Sequence, residues 1–346
     1  MLLLKTNMGK EILVTGGAGY IGSTVCSALK DTGYEPIILD SFVTGRPEFA
    51  RLHTHYDGDI ANQQLLEEIF KNHPEIEDCI HCAALIVMPE SVTKPYEYYK
   101  ENVAKSNELF NNLKNLGCRN IVYSSSGSVY QFTPDFEVTE ESPIKPQNPY
   151  ASTKYATEMI LKDFCVAYGM RGISLRYFNP IGSDPQYRTG IHIKSPSHLI
   201  GRLIDVAEGR EPYFEFTGVN WPSLDGTSIK DYIHVWDLAQ AHVKAVENLD
   251  HAFAQAEINY LDLNLGTGKG TTVREFAAAF EEVYGKKIKK VDAKPRNGDV
   301  AGQYANINLA KKMILWQPEK TIKEGIKDTL EWWKKRNSVI DYNEDR

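Results

Sequence analysis

The chain has 346 residues, 42% of them hydrophobic and 25% charged, with a net charge of −7. That composition fits a folded protein with one large or two modest cores. The acid excess leaves no basic field to draw in nucleic acid or an anionic membrane surface. Five cysteines (Cys26, Cys79, Cys82, Cys118 and Cys165) are odd in number and scattered, the usage of a reduced, cytoplasmic protein.

The opening apolar run, Met1 to Lys5, is too short for a signal peptide or a membrane span, and no later run is long enough to cross a bilayer. Met8 offers a second start, with Met1 to Asn7 as an upstream extension. A short apolar strand over 11–15 then leads into a glycine turn and a helix over 21–30. A strand over 35–40, a helix over 65–71 and a strand over 79–83 follow. Next come a long amphipathic helix over 95–116, a strand over 120–124, a helix over 150–168 and a strand over 172–177. Continuous apolar strands alternating with helices predict an α/β fold, a doubly wound parallel sheet of Rossmann type.

Beyond Asn179-Pro180 the chain turns loop-rich, with a helix over 199–208 and strands over 213–216 and 232–235. This reads as a smaller α/β C-terminal substrate lobe. The predicted organisation is a dinucleotide-binding domain over 8–180, with returns of the chain over about 231–265. A substrate lobe then covers most of 181–336, and 337–346 is a frayed polar tail.

Gly16, Gly19 and Gly22 lie between the first strand and its helix, where missing side chains allow a tight turn, close approach of a pyrophosphate and close helix–strand packing. The pyrophosphate would lie on the helix N-terminus at Tyr20 and Ile21, where N–H groups and the dipole favour negative charge. Asp40 ends the second strand at the distance expected of the acid that binds the adenosine ribose, and a carboxylate there favours NAD over NADP. Arg46 weighs the other way, because a nearby guanidinium accepts a 2′-phosphate. The bland alternative is a glycine-rich turn with no ligand. The strand context and Asp40 argue against it.

Tyr150 and Lys154 stand one helical turn apart on one face. A lysine ammonium and a positive nicotinamide ring would lower the tyrosine pKa and fit it for proton transfer. Pro149 suits the first turn of that helix. Ser126, just past the fourth strand, lies where ligands bind in such sheets, and its hydroxyl could bridge a substrate hydroxyl and Tyr150. Tyr and Lys at this spacing also occur by chance on solvated helices. The glycine turn and the Ser-rich strand end favour the functional reading. Cys79-Ile80-His81-Cys82 resembles half a zinc site, but no second cluster completes it, and it reads as a buried strand with no metal.

Together these residues, with Tyr123 to Tyr130, Asn148-Pro149-Tyr150, Leu175 to Pro180, Asp225-Gly226-Thr227, Asp231 to Val235, Asn264 to Gly268 and Arg296 with Gly298-Asp299-Val300, resemble the extended short-chain dehydrogenase/reductase family. Within it, they resemble the branch that epimerises UDP-hexoses at C4. The resemblance runs from about Lys10 to about Trp333. It implies NAD as cofactor, with Asp59 and Ile60 at the adenine. Ala83, Ala84, Asn102, Ser124 and Tyr177, with Tyr150 and Lys154, would lie around the rest of the cofactor. It also implies a UDP-linked sugar contacted by Ser126, Asn179, Ser197, His198, Leu199, Phe214, Phe216, Lys230, Arg296, Asp299 and Gln303. Tyr150 would take the 4-hydroxyl proton while C4 gives up hydride; the 4-keto sugar turns over, and hydride returns to its other face. Phe214 and Phe216 fit a core strand equally well.

The chain departs from the family pattern in several places. Ile86 stands where a Lys is usual near the cofactor phosphates, Thr24 replaces a common His, and Lys230 replaces an Arg and loses its bidentate fork. Ser197-His198-Leu199 replaces Asn-Asn-Leu, and Gln303, at the position that gates sugar size, is intermediate. The resemblance further implies a homodimer through the helices over 95–116 and 150–168, although Tyr98, Tyr99, Phe110, Phe164 and Tyr168 fit core packing as well. Gly127-Ser128, in place of an Asp-Glu pair, argues against a 4,6-dehydratase. The remaining alternatives are a 4-reductase or dehydrogenase with exchangeable cofactor, and a non-catalytic NAD-sensing or scaffold protein.

Overall fold

Ile12 and Val14 are fully buried in one hydrophobic cluster, and Leu13 between them is fully buried in another, so the strand that carries them is covered on both faces. The same alternation recurs in its neighbours, and a computed structural model gives the arrangement. It describes residues 9–194, 196, 198–254, 258–295 and 300–342. Seven strands, β1 (Glu11–Thr15), β2 (Glu35–Asp40), β3 (Thr54–Asp57), β4 (Asp78–His81), β5 (Asn120–Ser124), β6 (Arg171–Tyr177) and β7 (Tyr260–Leu265), lie in the order 7-6-5-4-1-2-3. Every pairing is parallel. The winding reverses between β1 and β4, which opens a crevice at the carboxyl ends of the strands.

Helices Tyr20–Asp31 and Val235–Glu247 cover one face through Val25, Leu29, Leu238 and Val243. Helices Gln63–Asn72, Lys105–Asn115 and Pro149–Tyr168 cover the other through Ile69, Phe110 and Leu161. The doubly wound sheet is as expected, with two strands beyond the five read from the sequence. Three of the four residues of β3 are exposed, so it has no apolar run to announce it. The outer strand β7 has the sequence Tyr-Leu-Asp-Leu-Asn-Leu, half-polar because its Asp and Asn enter polar networks described below.

Helix Pro149–Tyr168 begins and ends on sequence signals. Asn148 caps it by accepting from the Ala151 N–H (2.9 Å), Pro149 opens the first turn, and Gly169 closes it at φ +66. The helix expected over 95–116 is not continuous. It runs α over Pro95–Tyr99, widens to a π turn over Lys100–Ala104, and resumes α over Lys105–Asn115. Such turns insert one residue that periodicity does not register. The smaller lobe forms around Phe214, Phe216, Phe276, Phe280 and Trp333, with strand Phe214–Thr217 parallel to Lys290–Ala293. Strand Ile229–Lys230 lies between Thr271–Thr272 and Gly302–Ala305. The tail expected to fray does not do so as far as Tyr342: Ile340 is buried against Phe49 and Trp332. One buried apolar residue anchors it despite its polar composition.

Two buried histidines brace the sheet. Ser106 donates to the Asn102 carbonyl (2.6 Å), so it accepts from His81 Nε2 (2.9 Å), and His81 Nδ1 takes the Thr15 hydroxyl (2.7 Å). His242 Nδ1 donates to the Leu238 carbonyl (2.8 Å), leaving Nε2 to accept from Ser124 Oγ (2.7 Å). Burial pushes their pKa values down to about 3 and about 4. Unfolding exposes each ring to its ordinary value of about 6.5, so between these limits the unfolded chain binds more protons and stability rises with pH. The unfolding free energy from urea titration should therefore hold steady between about pH 7 and 8 and fall as pH drops from about 6.5 towards 4, by about 1.4 kcal/mol per pH unit for each such histidine. A free energy that does not change down to about pH 5 would show that these rings are not held neutral.

Candidate active site

The turn after β1 is built on the absence of side chains. Gly16 has φ +72, and a Cβ on it would lie 2.5 Å from the Ala83 nitrogen; one on Gly22 would lie 2.1 Å from the Gly16 carbonyl. The helix therefore packs directly on the turn, and the turn on the chain leaving β4. A Cβ on Gly19 would meet only the Gly16 oxygen, at 3.4 Å. Gly19 is the N-cap of helix Tyr20–Asp31, with no side-chain cap and no acid in the first turn. N–H groups, dipole and clearance together suit a pyrophosphate. The Tyr20 side chain points elsewhere, donating to the Gly182 carbonyl of the second lobe (2.7 Å), and Ile21 packs on the core.

Asp40, at the end of β2, is buried, which raises its pKa against the pull of two N–H donors. Its Oδ2 accepts from Ala18 N (2.9 Å) and its Oδ1 from Phe42 N (2.8 Å). These bonds fix the carboxylate beside the glycine turn and leave lone pairs for a ribose hydroxyl. Asp59 follows β3, held by the Ala61 N–H and by Lys105 Nζ at 2.5 Å, with Ile60 buried beside it. Ala83 and Ala84 follow β4. Asn102 is spent within the protein: its Oδ1 accepts from Leu85 N (2.7 Å), and its Nδ2 donates to the Leu85 carbonyl (2.9 Å) and to Thr153 Oγ1 (3.1 Å). Asn102 thus fixes the segment beyond Ala84. The glycines, Asp40 and the segments after β3 and β4 fit a dinucleotide laid across the crevice.

Tyr150, Lys154 and Ser126 meet where β5 ends. Lys154 is almost wholly buried and donates to the Ser124 carbonyl (2.8 Å), with Nζ 6.0 Å from the centre of the Tyr150 ring. Burial pulls its pKa down to about 8, opposed by Cys82 and Glu158. Burial raises the Tyr150 phenol to about 12, with only the Ser126 hydroxyl opposing. The expected lowering of this tyrosine is therefore not supplied by the protein's own groups, because Lys154 spends its proton on a carbonyl and desolvation prevails. Ser126 Oγ is 2.9 Å from Ser128 Oγ. Ser124 reaches Cys82 and His242, and burial raises the Tyr177 phenol, with Ser124 opposing.

Behind this trio lies a charge pair whose pairing gave no signal in the sequence. Arg176 of β6 donates to both oxygens of Glu158 (2.9 and 2.6 Å), to Tyr130 Oη (2.9 Å), and lies 3.1 Å from Asp262 of β7. Burial opposes the charge on Arg176, but these partners outweigh it and raise its pKa. Ser125 completes the shell on Glu158. Glu158 is one turn beyond Lys154 and Ser125 adjoins Ser126, so one buried cluster holds both ends of the trio.

The residues expected on the substrate side are more widely spread. Asn179 Nδ2 donates to the Asp231 carbonyl (3.2 Å). Asp231 itself, absent from the expected site, is buried and accepts from the Thr267 and Ala305 N–H groups. Lys230 pairs in register with Gln303, whose Nε2 reaches the Gly127 carbonyl beside Ser126 (2.8 Å). His198 caps helix Leu199–Ala207 through Gly201 N, and Leu199 packs on the lobe core. The Phe214 and Phe216 rings are both core, edge to face at 5.4 Å. Ser197, Arg296 and Asp299 lie outside the described residues. Among the described residues no group of three or more His, Cys, Asp or Glu side chains could hold a metal.

Residues 12–260 match the family described as the NAD dependent epimerase/dehydratase family. The UDP-glucose 4-epimerase of Azospirillum brasilense is 37% identical over 330 residues, covering 95% of this chain and 93% of its own. The structure of the UDP-glucose 4-epimerase of Bifidobacterium longum in complex with NAD+ and UDP superimposes with a TM-score of 0.86 at 33% identity, over 95% of this chain and 100% of that one. That of Stenotrophomonas maltophila, with bound NAD and formylated UDP-arabinopyranose, gives a TM-score of 0.89 at 30% identity, over 95% and 99%.

Removing Glu158 leaves the buried Arg176 charge with only Asp262 and Tyr130 to match it, so Glu158→Ala should lower unfolding stability by about 3 kcal/mol. Chemical denaturation checks this; a loss under about 1 kcal/mol would mean the pair is not the buttress described.

Proposed function

This chain belongs to the NAD dependent epimerase/dehydratase family, and from that premise we propose that it is a nucleotide-sugar 4-epimerase, working with bound NAD on a UDP-hexose. Within a family that also includes dehydratases, one observation carries the choice. A Cβ on Gly127 would lie 2.4 Å from the Phe178 ring, and the Ser128 hydroxyl is turned to Ser126. The loop beside the proton-handling trio therefore has no acid or base to remove water across C5 and C6, and no room for one at 127. What remains is chemistry at C4 alone.

Tyr150 Oη exchanges the proton of the sugar 4-hydroxyl, with Ser126 Oγ bridging the two oxygens. NAD held by the glycine turn and Asp40 would supply reversible hydride acceptance at C4. Lys154, protonated below its pKa of about 8, is the trio's own cation, and shifting Tyr150 towards the phenolate against its burial would need the positive nicotinamide ring as well. Asp40 and Asp59 hold the adenosine end. Asn179, Lys230, Gln303, His198, Leu199 and the Phe214–Thr217 strand would meet the UDP-sugar, and Ser197, Arg296 and Asp299, outside the described residues, keep the roles that the family resemblance implies. Four of the five thiols are buried and all are unpaired, which supports a reduced, cytoplasmic setting.

A homodimer is part of the same reading. Tyr98 and Phe110 are core, but Tyr96 (73% exposed), Tyr99, Val166 (63%) and Tyr168 stand out from the two helices expected to pair, leaving apolar surface for a second copy. Light scattering at micromolar concentration should give twice the chain mass; a monomer would remove this element.

Purified protein without added cofactor should invert C4 of UDP-glucose or its N-acetyl or uronic acid analogues, followed by NMR. Tyr150→Phe should lower kcat by about 10²–10⁴-fold. The wild-type rate should decline as pH rises through about 8, where Lys154 loses its proton. Turnover only when nicotinamide cofactor is supplied would instead favour the exchange-type 4-reductase or dehydrogenase. Ile86, 58% exposed where relatives usually carry a cation, supports that second reading. Biological activity surviving Tyr150→Phe would favour a non-catalytic sensor.

A further inference from the structure

The chain's last described residues fold onto the loop that follows Asp40. That loop is first stitched to the glycine turn: Arg46 N donates to the Ala18 carbonyl (2.9 Å), and a Cβ on Gly45 would lie 2.9 Å from Asp40 Oδ1. The Arg46 backbone is thus adjacent to the adenosine side of the crevice. A guanidinium there is the usual partner of a 2′-phosphate. Its side chain, however, is engaged elsewhere. The Arg46 guanidinium carbon lies 5.2 Å from the centre of the Tyr342 ring, and that of Arg336 lies 5.5 Å from the same ring.

Tyr342 is held in place by its neighbours. Asp341 N donates to Glu48 Oε1 (2.8 Å), and Ile340 is buried with Phe49 and Trp332. Arg336 donates to the Ile193 and Lys194 carbonyls (3.0 and 3.1 Å), and His192 Nε2 to the Thr44 carbonyl (2.8 Å). The C-terminal segment and residues 192–194 therefore grip the 44–49 loop from outside, and a ring that attracts cations is presented to Arg46.

We propose that Tyr342 is a determinant of cofactor choice: it holds Arg46 on its ring, keeps the guanidinium from the 2′ side of the adenosine ribose, and so reinforces the preference of Asp40 for NAD over NADP. This rests on reading the glycine turn and Asp40 as the dinucleotide site.

The test is competitive loading. Purified full-length enzyme is equilibrated with equimolar NAD+ and NADP+, freed of unbound nucleotide and extracted, and both nucleotides are quantified by chromatography. Tyr342→Ala should raise the bound NADP-to-NAD ratio about tenfold, the worth of one charge-assisted contact. Tyr342→Phe should keep the wild-type ratio, and Tyr342→Ala with Arg46→Ala should restore it. Tyr342→Leu, which keeps apolar bulk without the aromatic face, repeats the test if the alanine variant melts early. An unchanged ratio in both Tyr342→Ala and Tyr342→Leu, with wild type carrying NAD, overturns the proposal alone. So does a rise that Arg46→Ala fails to reverse. Recovery of neither nucleotide from wild type overturns the site reading and the proposal with it.

Discussion

Glu158 and Arg176, 2% and 3% exposed, form the contact on which the arrangement of the site depends. Two charges out of water are costly unless every lone pair and proton is matched. Here the match is made by four separate parts of the chain: Glu158 from helix Pro149–Tyr168, Arg176 from β6, Asp262 from β7, and Tyr130, just past a 3₁₀ turn over Gly127–Val129. Slippage of that helix along the sheet would break the fork on Arg176, so the helix has one permitted register. Tyr150 and Lys154 inherit their positions from it.

A second polar network works from the other side. The π turn at Lys100–Ala104 carries Asn102, which holds Leu85 by both backbone groups and Thr153 by its hydroxyl. Ser106, His81 and Thr15 continue from the Asn102 carbonyl to the strand that leads into Gly16. The glycine turn, the segment after β4 and the helix of Tyr150 are therefore linked through uncharged hydrogen bonds. The two networks differ in kind: one is ionic and resists sliding, while the other is neutral and fails when its histidine is protonated.

Most of the fold was legible because its period was. Buried strands such as Asn120–Ser124 read as unbroken apolar runs, and Asn148, Pro149 and Gly169 mark their helix by local chemistry alone. The edge strand Thr54–Asp57 was hidden because an exposed strand needs no apolar run, and the π turn was hidden because one inserted residue hardly disturbs an amphipathic pattern. In the site, the glycines, Asp40, Ser126, Tyr150 and Lys154 could be found because their spacing is the signal. Glu158 and His242 could not, and Arg176 and Asp231 stood out only as members of longer motifs with no role attached, because each acts through a partner distant in sequence. The rings of Phe214 and Phe216 could be read as core or as ligand contacts, since an alternating strand presents the same pattern for both.

Gln303 shows how the two lobes constrain one another. It lies on a strand of the small lobe, opposite Lys230, yet its amide is bonded to the carbonyl of Gly127, next to the hydroxyl that would meet the sugar. On the proposed reading, a single side chain would set both the width of the sugar cavity and the seat of Ser126. Volume and alignment are not independent variables at this position. A shorter residue that admits a bulkier sugar also releases the loop that must act on it. Widening the substrate range would therefore take paired substitutions, one to make space and one to hold the Gly127 peptide again. Single changes at 303 would exchange turnover for breadth.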